Sequence, residues 1–151
     1  MVKFKKHMAT DSKSLIIVES PSKIKTLKKF LGDQFIIEAS VGHIRDLATK
    51  DLGVDIENDF TPTYIISKDK SKVVQQLKKV AKGVDKIFLA TDPDREGEAI
   101  SWHILETLKP QIPVHRLVFN EITKTAILHS IENPKEVNMD LVRAQESRRI
   151  L

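Results

Sequence analysis

The chain has 151 residues, 40% hydrophobic and 30% charged, enough to bury a core of its own, and no stretch approaches the ~20 apolar residues of a membrane-spanning helix. It has no cysteine, which excludes disulfides, thiolate zinc sites and a cysteine nucleophile within the chain and fits a reducing cytoplasm. A net charge of +4 and a pI of about 9.2 are compatible with a polyanionic partner, although many proteins that bind none share them.

Residues 1–13 are basic and polar, lack the apolar segment of a secretory signal, and read as a disordered tail. Leu15-Ile-Ile-Val18 is a continuous apolar run, the pattern of a buried strand. Ser20-Pro21 supplies an N-cap and first-turn proline, Ile24, Leu27 and Leu31 form a stripe, and Gly32 ends the helix. Phe35-Ile-Ile-Glu-Ala39 predicts a second strand, residues 42–62 a loop, and Thr63-Tyr-Ile-Ile66 a short strand. Val73, Val74, Leu77, Val80 and Ala81 mark an amphipathic helix closed by Gly83. The strand Lys86-Ile-Phe-Leu-Ala90 is followed by a helix over 97–108, with Pro110 beyond it. A last strand covers 114–119, and helices cover 123–131 and 139–151. Alternating strands and helices predict an open α/β fold with a mostly parallel sheet. The final helix has no Gly, Asn or Pro stop, so the chain is expected to be part of a longer protein and to fray beyond Arg143.

In open α/β sheets, ligands bind at the carboxyl ends of strands. Two such ends are acidic: Glu19 follows the first strand, and Thr91-Asp-Pro-Asp-Arg-Glu-Gly-Glu98 follows the strand ending at Ala90. In an extended segment Asp92, Asp94 and Glu96 point the same way, and Pro93 disfavours helix at Asp92. Crowded carboxylates require a cation, and an all-oxygen donor set suits magnesium. Helix capping by Asp92 is the competing reading, but it accounts for one carboxylate and leaves Asp94, Glu96, Glu98 and Glu19 unexplained.

Lys23 falls in the first helical turn after Glu19, where it would add charge to a phosphate-favouring helix N-terminus; the alternative is a solvated lysine. His43 stands just past a strand, Arg143, Arg148 and Arg149 lie on the final helix, and Trp102 fits core packing better than base stacking.

Leu15-Ile-Ile-Val-Glu-Ser-Pro-Ser-Lys23, Ser40-Val-Gly-His-Ile-Arg-Asp-Leu47, Ala90-Thr-Asp-Pro-Asp-Arg-Glu-Gly-Glu-Ala-Ile-Ser-Trp-His103 and Val118-Phe-Asn-Glu-Ile-Thr123 closely resemble bacterial type IA DNA topoisomerases of the topoisomerase I kind. Ala144-Gln-Glu-Ser-Arg-Arg149 matches less strictly. The resemblance covers about residues 14–151 in family order. The acidic loop alone would indicate only the wider Toprim group, which includes primases, gyrase-type enzymes and some nucleases.

The resemblance implies a Toprim fold, a Rossmann-like parallel sheet between helices, over 14–120 and the start of an adjoining helical DNA-groove domain over 121–151. It implies relaxation of negatively supercoiled DNA by transient single-strand cleavage through a 5′-phosphotyrosine. Glu19 matches the acid that exchanges a proton with the 3′-oxygen, and Lys23 the lysine near the scissile phosphate. Asp92, Asp94 and Glu96 match the Mg2+ triad, with Glu19 beside it. His43, Arg95, Phe119, Asn120, Thr123, Arg143, Gln145, Ser147 and Arg148 match positions beside DNA. Expected partners are single-stranded and negatively supercoiled DNA and the tyrosine-bearing remainder of the same polypeptide; a monomer in the cytoplasm, associated with the nucleoid and not with a membrane, is expected. The only tyrosine, Tyr64, does not match the nucleophile's motif, so the chain is expected to carry half an active site and to be inactive alone. The alternatives are a free-standing Toprim nuclease or primase-like enzyme, which would need a complete site here, and a non-catalytic DNA-binding module, against which an intact acidic cluster argues.

Overall fold

The computed structural model describes residues 13–47, 54–55, 61–62 and 64–150. In chain order the elements are β1 (Ser14–Val18), α1 (Pro21–Leu31), β2 (Phe35–Ala39), β3 (Arg45–Leu47), β4 (Val54–Asp55), β5 (Thr61–Pro62), β6 (Tyr64–Ile66), α2 (Ser71–Ala81), β7 (Lys86–Leu89), α3 (Arg95–Leu108), β8 (Val114–Arg116), α4 (Lys124–Glu132) and α5 (Met139–Ile150). Four strands form one parallel sheet in the order β2-β1-β7-β8. The antiparallel pairs β3–β6 and β4–β5 stand apart from it.

The apolar run in β1 has helices on both sides, which is why it does not alternate with polar residues. Leu15 and Ile17 face Val74 and Leu77 of α2 and Ile100 and Ile104 of α3. Ile16 and Val18 face Leu27 and Leu31 of α1 and Ile127 of α4. All four β1 side chains are fully buried. Each contributes roughly 1.5–3 kcal/mol by leaving water.

Local signals set the boundaries. Ser20 is extended ahead of Pro21, and Gly32, with φ 69°, ends α1 in a conformation that costs other residues energy. Asp94 caps α3, so that helix starts at Arg95, two residues earlier than the apolar stripe indicates. β3 lies inside the segment expected to be loop; three residues with one apolar side chain give too little pattern to read. Of that segment, 48–53 and 56–60 lie outside the described residues, as do 1–12 and with them the expected tail.

The strand order creates the functional crevice. From β1 the chain adds β2 on one side, and from β7 it adds β8 on the other, so β1 and β7 are neighbours whose outgoing connections diverge. Ligands of doubly wound sheets bind outside the carboxyl ends of such a strand pair. Among the described residues no helix is long and apolar enough to cross a membrane.

Candidate functional site

Glu19 and Asp92 leave β1 and β7 at this crevice, and their strands hold them in register. The Ala90 amide donates to the Ile17 carbonyl at 2.8 Å, and the Asp92 amide donates to Glu19 Oε2 at 3.2 Å. Lys23, on the first turn of α1, points back across the gap. Its Nζ donates to Glu19 Oε1 at 2.5 Å and also to Asp92 Oδ1. Burial of the ammonium opposes its charge, but the hydrogen bonds and charges of Asp92 and Glu19 outweigh that cost and hold its pKa above the usual lysine value of 10.5. Lys23 is therefore cationic at neutral pH, and the bland reading of a solvated lysine does not describe it.

The acidic loop is folded tightly by its own backbone. Thr91 Oγ1 donates to the Gly97 carbonyl at 2.6 Å and lies 2.7 Å from Ser101 Oγ. The Gly97 amide donates to Asp94 Oδ1 at 2.7 Å. A Cβ on Gly97 would stand 1.8 Å from the Asp92 carbonyl oxygen, so only glycine fits. The geometry corrects the expectation that Asp92, Asp94 and Glu96 lie on one extended segment. Asp94 is the helix cap, and Glu96 is already helical. Capping, which seemed to need Asp92, falls to Asp94. Among the described residues no three His, Asp or Glu side chains converge as a metal ion would need in this side-chain arrangement.

Glu98 points away from the crevice. It is buried, accepting from Arg116 Nε at 2.8 Å and from the Asn138 amide at 2.8 Å. Arg116 is wholly buried and also donates to the carbonyls of Leu89, Thr91, Asp92 and Leu117 at 2.6–3.1 Å. A guanidinium's fork of donors suits this gathering of carbonyls. Burial lowers the Arg116 pKa, and Glu98, Glu19 and Asp94 oppose the shift, so its charge is felt by the acids above it. The sequence reading missed this residue. Its signal was an arginine inside an apolar strand segment, which demands a buried anion.

A second group forms around Glu96. His43 Nε2 lies 2.8 Å from Glu96 Oε1, and Gln145 Nε2 donates to Glu96 Oε2 at 3.0 Å. Arg95, Glu96, Gln145 and Arg148 line a cleft of about 310 Å³. The α5 helix thus delivers two of its expected site residues to the acidic loop. Beside them Arg45 donates to His103 Nδ1 at 3.0 Å and lies over the edge-to-face pair of Tyr64 and Trp102, 5.1 and 5.2 Å from the ring centroids. Tyr64 donates to Glu146 Oε2 at 2.6 Å, tying β6 to α5. Trp102 packs in this half-buried layer, in keeping with the core reading, while Arg45 as its partner had no sequence signal.

Other expected residues have separate surroundings. Phe119 packs on the core, Asn120 is exposed, and Thr123 caps α4 by accepting from the Ala126 amide at 3.2 Å. All three follow β8, at the same edge of the sheet as Asp92. Arg143 is exposed and pairs with Asp140 at 3.3 Å, and Ser147 is exposed. The α5 helix lies along α3, buries Val142, and bonds through Gln145 to Glu96 and through Glu146 to Tyr64.

Known proteins resemble this chain in sequence and in fold. DNA topoisomerase 1 of Streptomyces coelicolor is 53% identical over 156 residues, a span that is 95% of this chain and 16% of that protein. DNA topoisomerase 1 of Mycobacterium tuberculosis is 52% identical over 151 residues, 91% of this chain and 16% of that protein. The structure of full-length topoisomerase I from Thermotoga maritima superposes with a TM-score of 0.84 at 47% identity, covering 91% of this chain and 23% of that one. The chain therefore spans about a sixth of the curated relatives' length. The Toprim domain profile matches residues 14–122, from the first residue of β1 to the turn before α4. With the acidic ends of β1 and β7 side by side in a parallel sheet, this chain belongs to the Toprim domain family.

Proposed function

We propose that the chain is the magnesium-binding Toprim part of a type IA DNA topoisomerase I, which relaxes negatively supercoiled DNA by breaking one strand transiently. The observation that carries this is the joining of Glu19, Lys23 and Asp92 at the sheet's switch point. The high identity to proteins named DNA topoisomerase 1 supports it. The attacking tyrosine belongs to the remainder of the polypeptide, because Tyr64 does not match the nucleophile's motif and its hydroxyl is engaged with Glu146. The chain alone is inactive. It acts as a monomer in the cytoplasm, on the nucleoid, and residues 121–151 begin the neighbouring helical domain.

In cleavage the tyrosine oxygen bonds to phosphorus and the bond from phosphorus to the 3′-oxygen breaks. The tyrosine hydroxyl loses its proton to solvent, and Glu19, turned from Lys23 and protonated from solvent, gives a proton to the departing 3′-oxygen; on resealing the 3′-hydroxyl returns that proton to Glu19 before attacking the phosphotyrosine, and the freed tyrosine oxygen is reprotonated. Lys23, held cationic by its two carboxylates, offsets charge on the phosphate. Glu19, Asp92, Asp94 and Glu96 are all-oxygen donors at one crevice and fit magnesium by chemistry, Asp94 and Glu96 after turning from their present partners. Magnesium there would supply charge neutralisation beside the phosphate. Arg116 fixes the carbonyls beneath these acids, and His43, Arg95, Gln145 and Arg148 form the wall along which a strand backbone would run, with Phe119, Asn120, Thr123, Arg143 and Ser147 further along.

Magnesium titration followed by NMR tests the metal part. Amide shifts should appear first at Asp92, Asp94 and Glu96 at millimolar concentration and vanish in Asp92→Ala. A titration that leaves those amides unmoved would remove magnesium from this site.

A further inference from the structure

The loop between β2 and β3 holds a side chain that the fold does not use. Val41 has φ 56°, a left-handed conformation that is a true outlier for a β-branched residue. Gly42 follows at φ 81°, where glycine is at ease, so the strain at Val41 is not required by a lack of glycine nearby. Four bonds hold the loop in place. The Ser40 amide donates to Val18 O at 2.9 Å and the Gly42 amide to Glu19 O at 2.8 Å. Ser40 Oγ donates to Gly42 O at 2.8 Å, and Lys70 Nζ donates to Val41 O at 2.7 Å. Yet the Val41 side chain is 44% exposed and belongs to neither hydrophobic core.

Strain that the surroundings over-determine is a mark of a working surface. The Gly42 bond puts Val41 one residue from the backbone of Glu19, and two residues on lies His43 against Glu96. The loop is joined to the crevice through Glu19, and Lys23 and Arg95 at that crevice carry charges that suit phosphate. An exposed apolar side chain on such a loop suits what lies between phosphates, a deoxyribose or the face of a base. We infer that Val41 is a nucleotide-contacting residue, held in a strained backbone so that its isopropyl group meets the sugar or base of a single strand at the acidic crevice. The inference rests on the DNA reading of that crevice.

The test uses the full chain, a labelled 12-nucleotide single strand and fluorescence anisotropy at several salt concentrations, with thermal melting of each variant. Asn tolerates the left-handed region, so Val41→Asn should melt about 3 °C higher as strain is relieved. It should also bind the strand about 5- to 10-fold more weakly. The slope of log affinity against log salt should stay the same, because no phosphate contact is lost, whereas Lys23→Ala should reduce that slope by about one. Val41→Ile keeps strain and apolar surface and should bind like the parent. Parent-like affinity in Val41→Asn, with its higher melting point, would overturn the inference and leave the DNA reading standing. That result would point to the remaining polypeptide as what covers Val41. A parent chain that binds no strand at millimolar concentration would overturn both.

Discussion

Arg116 shows how a single residue can organise a site without reaching its surface. It is wholly buried, neutralises Glu98 and gathers four carbonyls, three of them in the segment that ends β7 and begins the acidic loop. Replacing it by Met would leave Glu98 as a buried charge without its partner, at a cost of about 3–5 kcal/mol. Urea unfolding of Arg116→Met should show this loss, and adding Glu98→Gln should recover part of it, because the stranded charge is then gone. No recovery in the double variant would mean that the carbonyl contacts, and not the ion pair, carry the stability. At this scale the sequence was informative about chemistry and poor about partners. Glu19 and Asp92 were legible because each directly follows an apolar run. The Arg116–Glu98 pair joins residues 18 apart through the interior, and nothing local to either predicts the other. The competing capping reading named Asp92 because Pro93 follows it, whereas Asp94 is the residue that caps the helix, through the Gly97 amide.

Among the elements, the sheet strands and their covering helices were readable because unbroken apolar runs and 3.6-residue stripes are strong signals. Of the antiparallel pair β3–β6, the apolar run gave away β6, whereas β3, which carries Arg45 toward a stacking layer, has no periodic pattern to read. The expectation for the last helix rested on its end alone. Missing stop signals concern only the helix's own end, whereas its stability comes from lying on α3. Buried Val142, the Gln145–Glu96 bond and the Tyr64–Glu146 bond fasten α5 to α3 and β6. Hydrogen exchange should accordingly show amides 142–146 protected to a degree comparable with α3. Tyr64→Phe should speed exchange in α5 and leave α1 unchanged. Fast exchange throughout α5 in the parent chain would return it to the frayed state that its sequence indicates.

The whole molecule is an arrangement of charge at one edge of a sheet. Parallel strands that diverge from β1 and β7 leave a crevice, and the chain fills it with carboxylates above a buried guanidinium and beside a single lysine. On the proposed reading the assembly handles a proton and offsets phosphate charge, and among the described residues no tyrosine stands at the crevice. Incubation of supercoiled plasmid with the purified chain and magnesium tests that division of labour most directly, set against a chimera in which the chain replaces the matching segment of Thermotoga maritima topoisomerase I. The account predicts intact supercoiled plasmid with the chain alone, relaxation by the chimera, and loss of that relaxation in the Glu19→Ala chimera. Magnesium-dependent nicking by the chain alone, abolished by Asp92→Ala, would contradict it and identify a self-sufficient nuclease.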